Sequence, residues 1–195
     1  MINSLNASLE SKIDLKTTVC FRQNHPLSQS QYQKNNFSQL QLDDEIKTRF
    51  ERTLFQARAC ELFEWRKNPK GRLAEIIVLD QFSRNFYRGL QESFIADPQV
   101  LTLAQEAVAG DHDELLDPLE KAFLYMPFMH SESLLIQDQS VRLFENHGKQ
   151  NNLDYAIKHR EVIQRFGRFP HRNSILGRPS TVEETEFLKQ PGSSF

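Results

Sequence analysis

Start and stop signals for helices recur at short intervals along this chain, and no other feature limits its fold so strongly. Asp97-Pro98 and Asp117-Pro118 each set a capping carboxylate before a proline at the first helical position. Gly110, Gly148 and Gly167 stand where helix C-termini are expected. Ser180 and Thr181, with Glu183 and Glu184 three residues on, offer two overlapping capping boxes for a last short helix. Between these marks apolar residues fall at helical spacing. Asp43 caps a stripe of Ile46, Phe50, Leu54 and Ala57 that runs on toward Trp65 and stops before Asn68-Pro69. Val100, Leu101, Ala104, Ala107 and Val108 form another, and Leu134, Leu135, Val141 and Phe144 a third that should face inward.

One stretch is ambiguous by periodicity. Leu73 to Leu79 is an apolar run that suits a buried strand or a buried helix. Its continuation decides for a helix of about 17 residues, because Asp80, Arg84 and Arg88 follow at i, i+4 and i+8 with no turn residue before Gly89. Pro127 should kink or break the helix begun at Asp117-Pro118. A further helix fits residues from about Leu153 to Phe166. The reading is all-α: seven helices joined by short loops, packing as antiparallel neighbours. Seven glycines in 195 residues argue against a turn-rich β fold, and fifteen phenylalanines point to a core of aromatic contacts.

Composition divides the chain. From Gln23 to Gln41 it is dominated by Gln, Asn and Ser, with too little apolar surface to offset its ordering entropy. Residues 1–41 therefore read as a poorly ordered arm, with a short helix near Ser4–Leu15; residues 42–188 read as one domain and 189–195 as a flexible tail. No apolar run approaches the ~20 residues of a membrane span, and no signal-peptide core is visible, so the cytoplasm is expected. Cys20 and Cys60 show no metal-binding spacing, and Cys60 reads as a small core residue.

The net charge of -2 gives no global pull toward nucleic acid or an anionic membrane. Charge is nonetheless uneven. Asp111, Asp113, Glu114, Asp117 and Glu120 read as a solvated loop and helix start. Val162 to Val182 contains no acid and carries Arg165, Arg168, His171, Arg172 and Arg178, which is a local anion-attracting feature.

Three polar motifs are candidates for one site. In the first, Asp80 and Arg84 share a helix face, so Asp80 can hold Arg84 and aim Arg88 outward; a structural ion pair and a ligand-facing cluster are equally consistent with the spacing. In the second, Pro127 frees a carbonyl and His130 and Glu132 lie near a helix start, with Asp138 beyond. A satisfied structural histidine is one reading and general acid/base work another; the spacing is poor for a metal. In the third, Arg168, His171, Arg172 and Asn173 are interleaved with Phe166, Phe169 and Pro170. The planar fork of arginine suits a carboxylate or phosphate, although arginines there also suit the capping of helix C-termini. His159, one to two turns earlier, either approaches this loop or packs as a core histidine.

Together the strings LAEIIVLDQFSRNFYRG (73–89), AFLYMPFMHSES (122–133) with DQ (138–139), and HREVIQRFGRFPHRNSILGR (159–178) with the STVEETEFL tail resemble the bacterial family called domain of unknown function 924. The resemblance spans about Leu42 to Leu188. It implies a tetratricopeptide-like, right-handed α-α superhelix and no assigned activity. The functional expectation is a pocket that binds a small anionic molecule or an acidic peptide end through Asp80, Arg84, Arg88, His130, Arg168, His171, Arg172 and Asn173. The alternatives are a hydrolase- or transferase-type enzyme, with catalytic candidates His130, His171 and Glu132, or a purely structural polar network. No metal, cofactor or membrane partner is expected, and the charge balance argues against nucleic acid.

Overall fold

The computed structural model describes Asp44 and residues 47–194. The expected arm, its short helix, the Asp43 cap and Ile46 lie outside the described residues. The rest is helical, with no strand among the described residues. Helix α1 covers residues 47–58. Helix α2 starts at Pro69–Ile77, passes through a π turn at Val78–Phe82 and ends as Ser83–Phe86. Then come α3 (Asp97–Ala109), α4 (Pro118–Met129), α5 (Leu134–His147), α6 (Gln150–Phe166) and α7 (Val182–Leu188). Counting α2 as one, these are seven helices among the described residues.

Local chemistry explains most of the boundaries. The Asp117 carboxylate accepts from the amides of Leu119 and Glu120, and the Glu120 carboxylate accepts from the Asp117 amide, which satisfies donors that a helix start otherwise leaves open. Thr181 and Glu184 form the second such box. Gly148 and Gly167 end α5 and α6 in the left-handed conformation, at φ 74° and 68°. The Asn68 side chain caps α2 by accepting from the Gly71 amide. Gly71 also lies against the preceding 3-10 turn, Phe63–Lys67, and a Cβ there would stand 2.0 Å from the Trp65 carbonyl oxygen.

Helix α2 runs through the middle of the core, with every residue from Leu73 to Ser83 buried. Its one early carboxylate, Glu75, is fully buried and held by both prongs of Arg66 at 2.7 Å each, as an ionised group out of water requires. Helices α3 and α4 pack against α2, and α4, α5 and α6 pack on one another in chain order. Phe50, Phe82, Phe123, Phe128, Phe144 and Trp65 fill the shared core, where each fully buried large apolar side chain contributes roughly 1.5–3 kcal/mol. A second, smaller cluster of Val162, Ile163 and Phe169 seats the chain beyond α6, with Phe166 and Phe187 against it.

Several sequence expectations need correction. The first helix stops at residue 58, and the chain turns through 59–62 before the 3-10 turn that contains Trp65. Cys60 is exposed in that turn at φ 60° instead of packing in the core. Pro127 does not break α4: it sits in the last turns, where only one backbone bond is lost. Leu134 and Leu135 are exposed, because the inward face of α5 is carried by Gln137, Ser140 and Phe144. The acidic run is not wholly solvated either. Asp113 is buried and accepts the Tyr125 hydroxyl at 2.5 Å, and this burial and bond raise the phenol's pKa. No helix of the described residues is long and apolar enough to cross a membrane.

Candidate functional site

The three motifs meet where α2, the end of α4 and the turn after α6 come together. The Asp80 carboxylate, inside the π turn of α2, accepts from Arg84 Nε at 3.1 Å and lies 2.9 Å from His130 Nδ1. Gln81 Nε2 makes a further contact with it. The intrahelical Asp80–Arg84 bond is the one that the i, i+4 spacing suggests. The π turn lies at this site, a common location for such turns.

Arg84 does not end at Asp80. Its Nη2 is 2.9 Å from Asp97 Oδ1, and its Nη1 reaches the Ser93 carbonyl at 3.4 Å. Asp97 Oδ2 is in turn 3.3 Å from Arg172 Nη1, and Arg172 Nη2 donates to the His130 carbonyl at 3.0 Å. Arg172 lies in the 3-10 turn Pro170–Arg172, between the rings of Phe94 and Phe169, whose centroids are 4.7 and 4.6 Å from its guanidinium carbon. Arg84 lies 5.3 Å from the centroid of the same Phe94 ring. Two guanidiniums thus share an aromatic neighbour and a carboxylate, an arrangement that leaves their planes little freedom.

The groups differ in depth. Side-chain exposure is 1% for Asp80, 10% for Arg84, 8% for Arg172 and 23% for Asp97, so Asp97 forms the rim. Burial raises the Asp97 carboxyl to about 6 against the pull of Arg84 and Arg172. Burial lowers Arg172 to about 10, with Arg84 adding to the effect. His171 is lowered to about 4 by burial and by Arg172. His159 is lowered to about 3 by burial; its Nδ1 lies 2.7 Å from the Tyr155 carbonyl oxygen and its ring stands edge-on to Phe169. That geometry makes it a packed histidine beneath the turn. His130 is set against a carboxylate, the arrangement that fixes a tautomer and orients a ring for proton transfer.

The remaining candidates lie around this centre. Glu132 accepts from Arg178 at 2.7 and 2.9 Å and from the Phe169 amide at 2.8 Å. Burial alone would raise its pKa, but the Arg178 and Phe169 bonds outweigh that and the net shift is downward. Buried Asn173 accepts from Arg178 and donates to Ser180, which ties the turn to the start of α7. Arg168 faces the other way: it grips Glu184 of α7 at 2.7 and 2.8 Å and also reaches the Pro179 carbonyl. The Arg168 bond, opposed by burial, lowers Glu184 to about 2. Arg88 is exposed at the end of α2 and reaches Asn85 at 3.4 Å. The structure therefore gathers Asp80, Arg84, His130, His171 and Arg172, braces them with Glu132 and Asn173, and sets Arg88 and Arg168 outside.

The basic stretch changes meaning on folding. Arg165, Arg168, Arg172 and Arg178 pair with Glu183, Glu184, Asp97 and Glu132, every one of them outside the acid-free segment. Its local positive charge is largely answered by carboxylates that the fold delivers. Asp138, weighed as a metal ligand with His130 and Glu132, pairs with Arg160 instead. No group of three or more His, Cys, Asp and Glu among the described residues is placed to hold a metal.

Asp97 and Phe94 were missed in the sequence. Asp-Pro at a helix start reads as a cap, but the helix begins at Asp97 itself with Ala96 in the cap position, and the Asp97 side chain serves the two arginines.

No curated protein matches the chain. A solved structure, a protein of unknown function (ATU0120) from Agrobacterium tumefaciens, is similar to it, with a TM-score of 0.74 and 36% sequence identity over 77% of this chain and 85% of that one. The family described as "Bacterial protein of unknown function (DUF924)" matches residues 18–192, a span that reaches into the segment composition had set apart as an arm. The chain belongs to this DUF924 family.

Proposed function

We propose that the centre around Arg84 and Arg172 binds a small anionic ligand, a phosphorylated or carboxylate-bearing molecule or the acidic end of a peptide. The observation that carries this reading is the convergence of two nearly buried guanidiniums on one rim carboxylate, Asp97. Asp97 occupies the position that the anionic group of a ligand would take, and Phe94 and Phe169 keep the forks oriented. The chain-order stacking of α4, α5 and α6 also supports a tetratricopeptide-like superhelix as the scaffold. The test is a thermal-shift screen of phosphate esters, nucleotides and dicarboxylates, followed by calorimetry on any hit. A hit that weakens at least ~10-fold in Arg172→Lys, which keeps the charge but loses the planar fork, supports the site. A hit unaffected by Arg172→Lys and Arg84→Lys, or no hit at all, overturns it.

A second reading rests on the 2.9 Å contact of His130 Nδ1 with Asp80. A carboxylate on one ring nitrogen prepares the other for general acid/base work on a bound anion. If turnover of a bound hit is found, His130→Gln should abolish it while leaving binding largely intact.

A further inference from the structure

Asp97 is the outermost charged group of the centre and the one shared by both arginines. The other acceptors of those arginines are fixed parts of the fold: the carboxylate of Asp80 within α2, the Ser93 carbonyl and the His130 carbonyl. Arg172 Nε is buried with no hydrogen-bond acceptor among the described residues. The arginines can therefore exchange one acceptor without dismantling the rest, and that acceptor is Asp97.

We infer that Asp97 is a specificity-determining residue that competes with the ligand, so that an oxyanion enters the site together with one proton on the Asp97 carboxyl. This deepens the anion-binding reading and rests on it. With Asp97 ionised, Arg84 and Arg172 face Asp80 and Asp97, two positive charges against two negative. An added dianion then meets no net attraction and repels Asp97 at close range. With Asp97 protonated, the centre carries one net positive charge, and the carboxylic acid becomes a donor to the incoming oxyanion. The charged and titratable groups around Asp97 are Asp80 and Arg84 from α2, Arg172 and His171 from the turn after α6, and His130 at the end of α4. His171 is already held neutral by burial and Arg172 above pH 5, and Arg172, lowered to about 10, stays charged there. A comparison of wild type with an Asp97 variant isolates Asp97 from these neighbours.

The experiment is calorimetric titration of the full chain with sulfate, whose charge is constant across the range. With Asp97 near 6, its protonated fraction differs about 30-fold between pH 7.5 and pH 5, and sulfate affinity should follow it by about that factor. Near pH 7, titrations in two buffers of different ionisation enthalpy should show about one proton taken up per sulfate. Asp97→Asn should bind sulfate at pH 7.5 about as tightly as wild type does at pH 5, with a much reduced pH slope. Sulfate binding by wild type without a pH slope or proton uptake overturns the role of Asp97 and leaves anion binding standing. Absence of binding in both proteins at pH 5 overturns both. The proton-uptake measurement needs only wild type, so the inference can fail even if the variant does not fold.

Discussion

His130 Nδ1 lies 2.9 Å from Asp80 Oδ1, across fifty positions of chain, and through this contact the end of α4 is held to the middle of α2. The same carboxylate holds Arg84, and Arg84 leads through Asp97 to Arg172 and back to the His130 carbonyl. The ring of contacts locks three separate segments, and it keeps guanidiniums and an imidazole oriented at its rim.

Removing one member should cost more than a surface ion pair. Arg84→Ala leaves Asp80 and Asp97 without a shared cation in a buried setting, and should lower the unfolding free energy by about 3 kcal/mol or more. Chemical denaturation of the variant measures this. A loss below about 1 kcal/mol, as an exposed pair gives, would contradict the structural role.

Gly71→Ala should be destabilising although it lies within a helix. Alanine ordinarily gains about 1 kcal/mol over glycine at a helical position. Here the added Cβ would meet the Trp65 carbonyl oxygen, a backbone atom, at 2.0 Å, so either α2 or the 3-10 turn before it must shift. A fall in the thermal midpoint is expected, and a rise would show that the turn gives way without cost.

Acid should destabilise the fold through histidines held neutral by burial. His159 is lowered to about 3 and His171 to about 4, against an ordinary value of 6.5. Between these values the unfolded chain binds more protons, so stability rises with pH; this contribution is complete above 6.5 and is lost as pH falls toward 4. Asp97 acts in the opposite sense. Its folded value of about 6 lies above the ordinary 3.8, so between those values the folded chain binds more protons and acid stabilises it. From these three groups alone, two protons taken up on unfolding against one released leave a loss of about 1 kcal/mol per pH unit between pH 6 and 4. Denaturation midpoints across that range test it. Asp97→Asn should steepen the loss; a shallower one would contradict the assignment.

The cap of α7 offers a local test. Thr181→Ala removes the acceptor for the Glu184 amide and should cost about 1 kcal/mol. Arg168→Ala leaves buried Glu184 without its two-pronged partner and should cost more. The order of the two losses in denaturation experiments is the check, and the reverse order would show that Arg168 contributes little to seating α7.

Much of this protein was settled by short-range chemistry that the sequence carries openly. The boxes at Asp117 and Thr181, the glycine stops at 148 and 167, and the inward stripe of Phe50, Leu54 and Ala57 depend on residues three or four apart, and such neighbours meet in any helix. The Asp80–Arg84 bond is legible for the same reason. Where the sequence misled, the deciding neighbour was distant. Leu134 and Leu135 face outward because α5 turns Phe144 toward Tyr125. Cys60 is exposed because the chain leaves helix α1 at residue 58, short of the expected end. Asp97 looked like a cap, and its real partners, Arg84 and Arg172, are 13 and 75 residues away. Above all, the positive charge of residues 162–182 is a property of the segment alone: its arginines meet Glu132 and Asp97 only after α3, the end of α4 and the turn after α6 pack together. Tertiary structure decided which arginines are braces and which face the rim, because buried charge must be answered by whichever carboxylate packing brings within reach, and packing is not local in sequence.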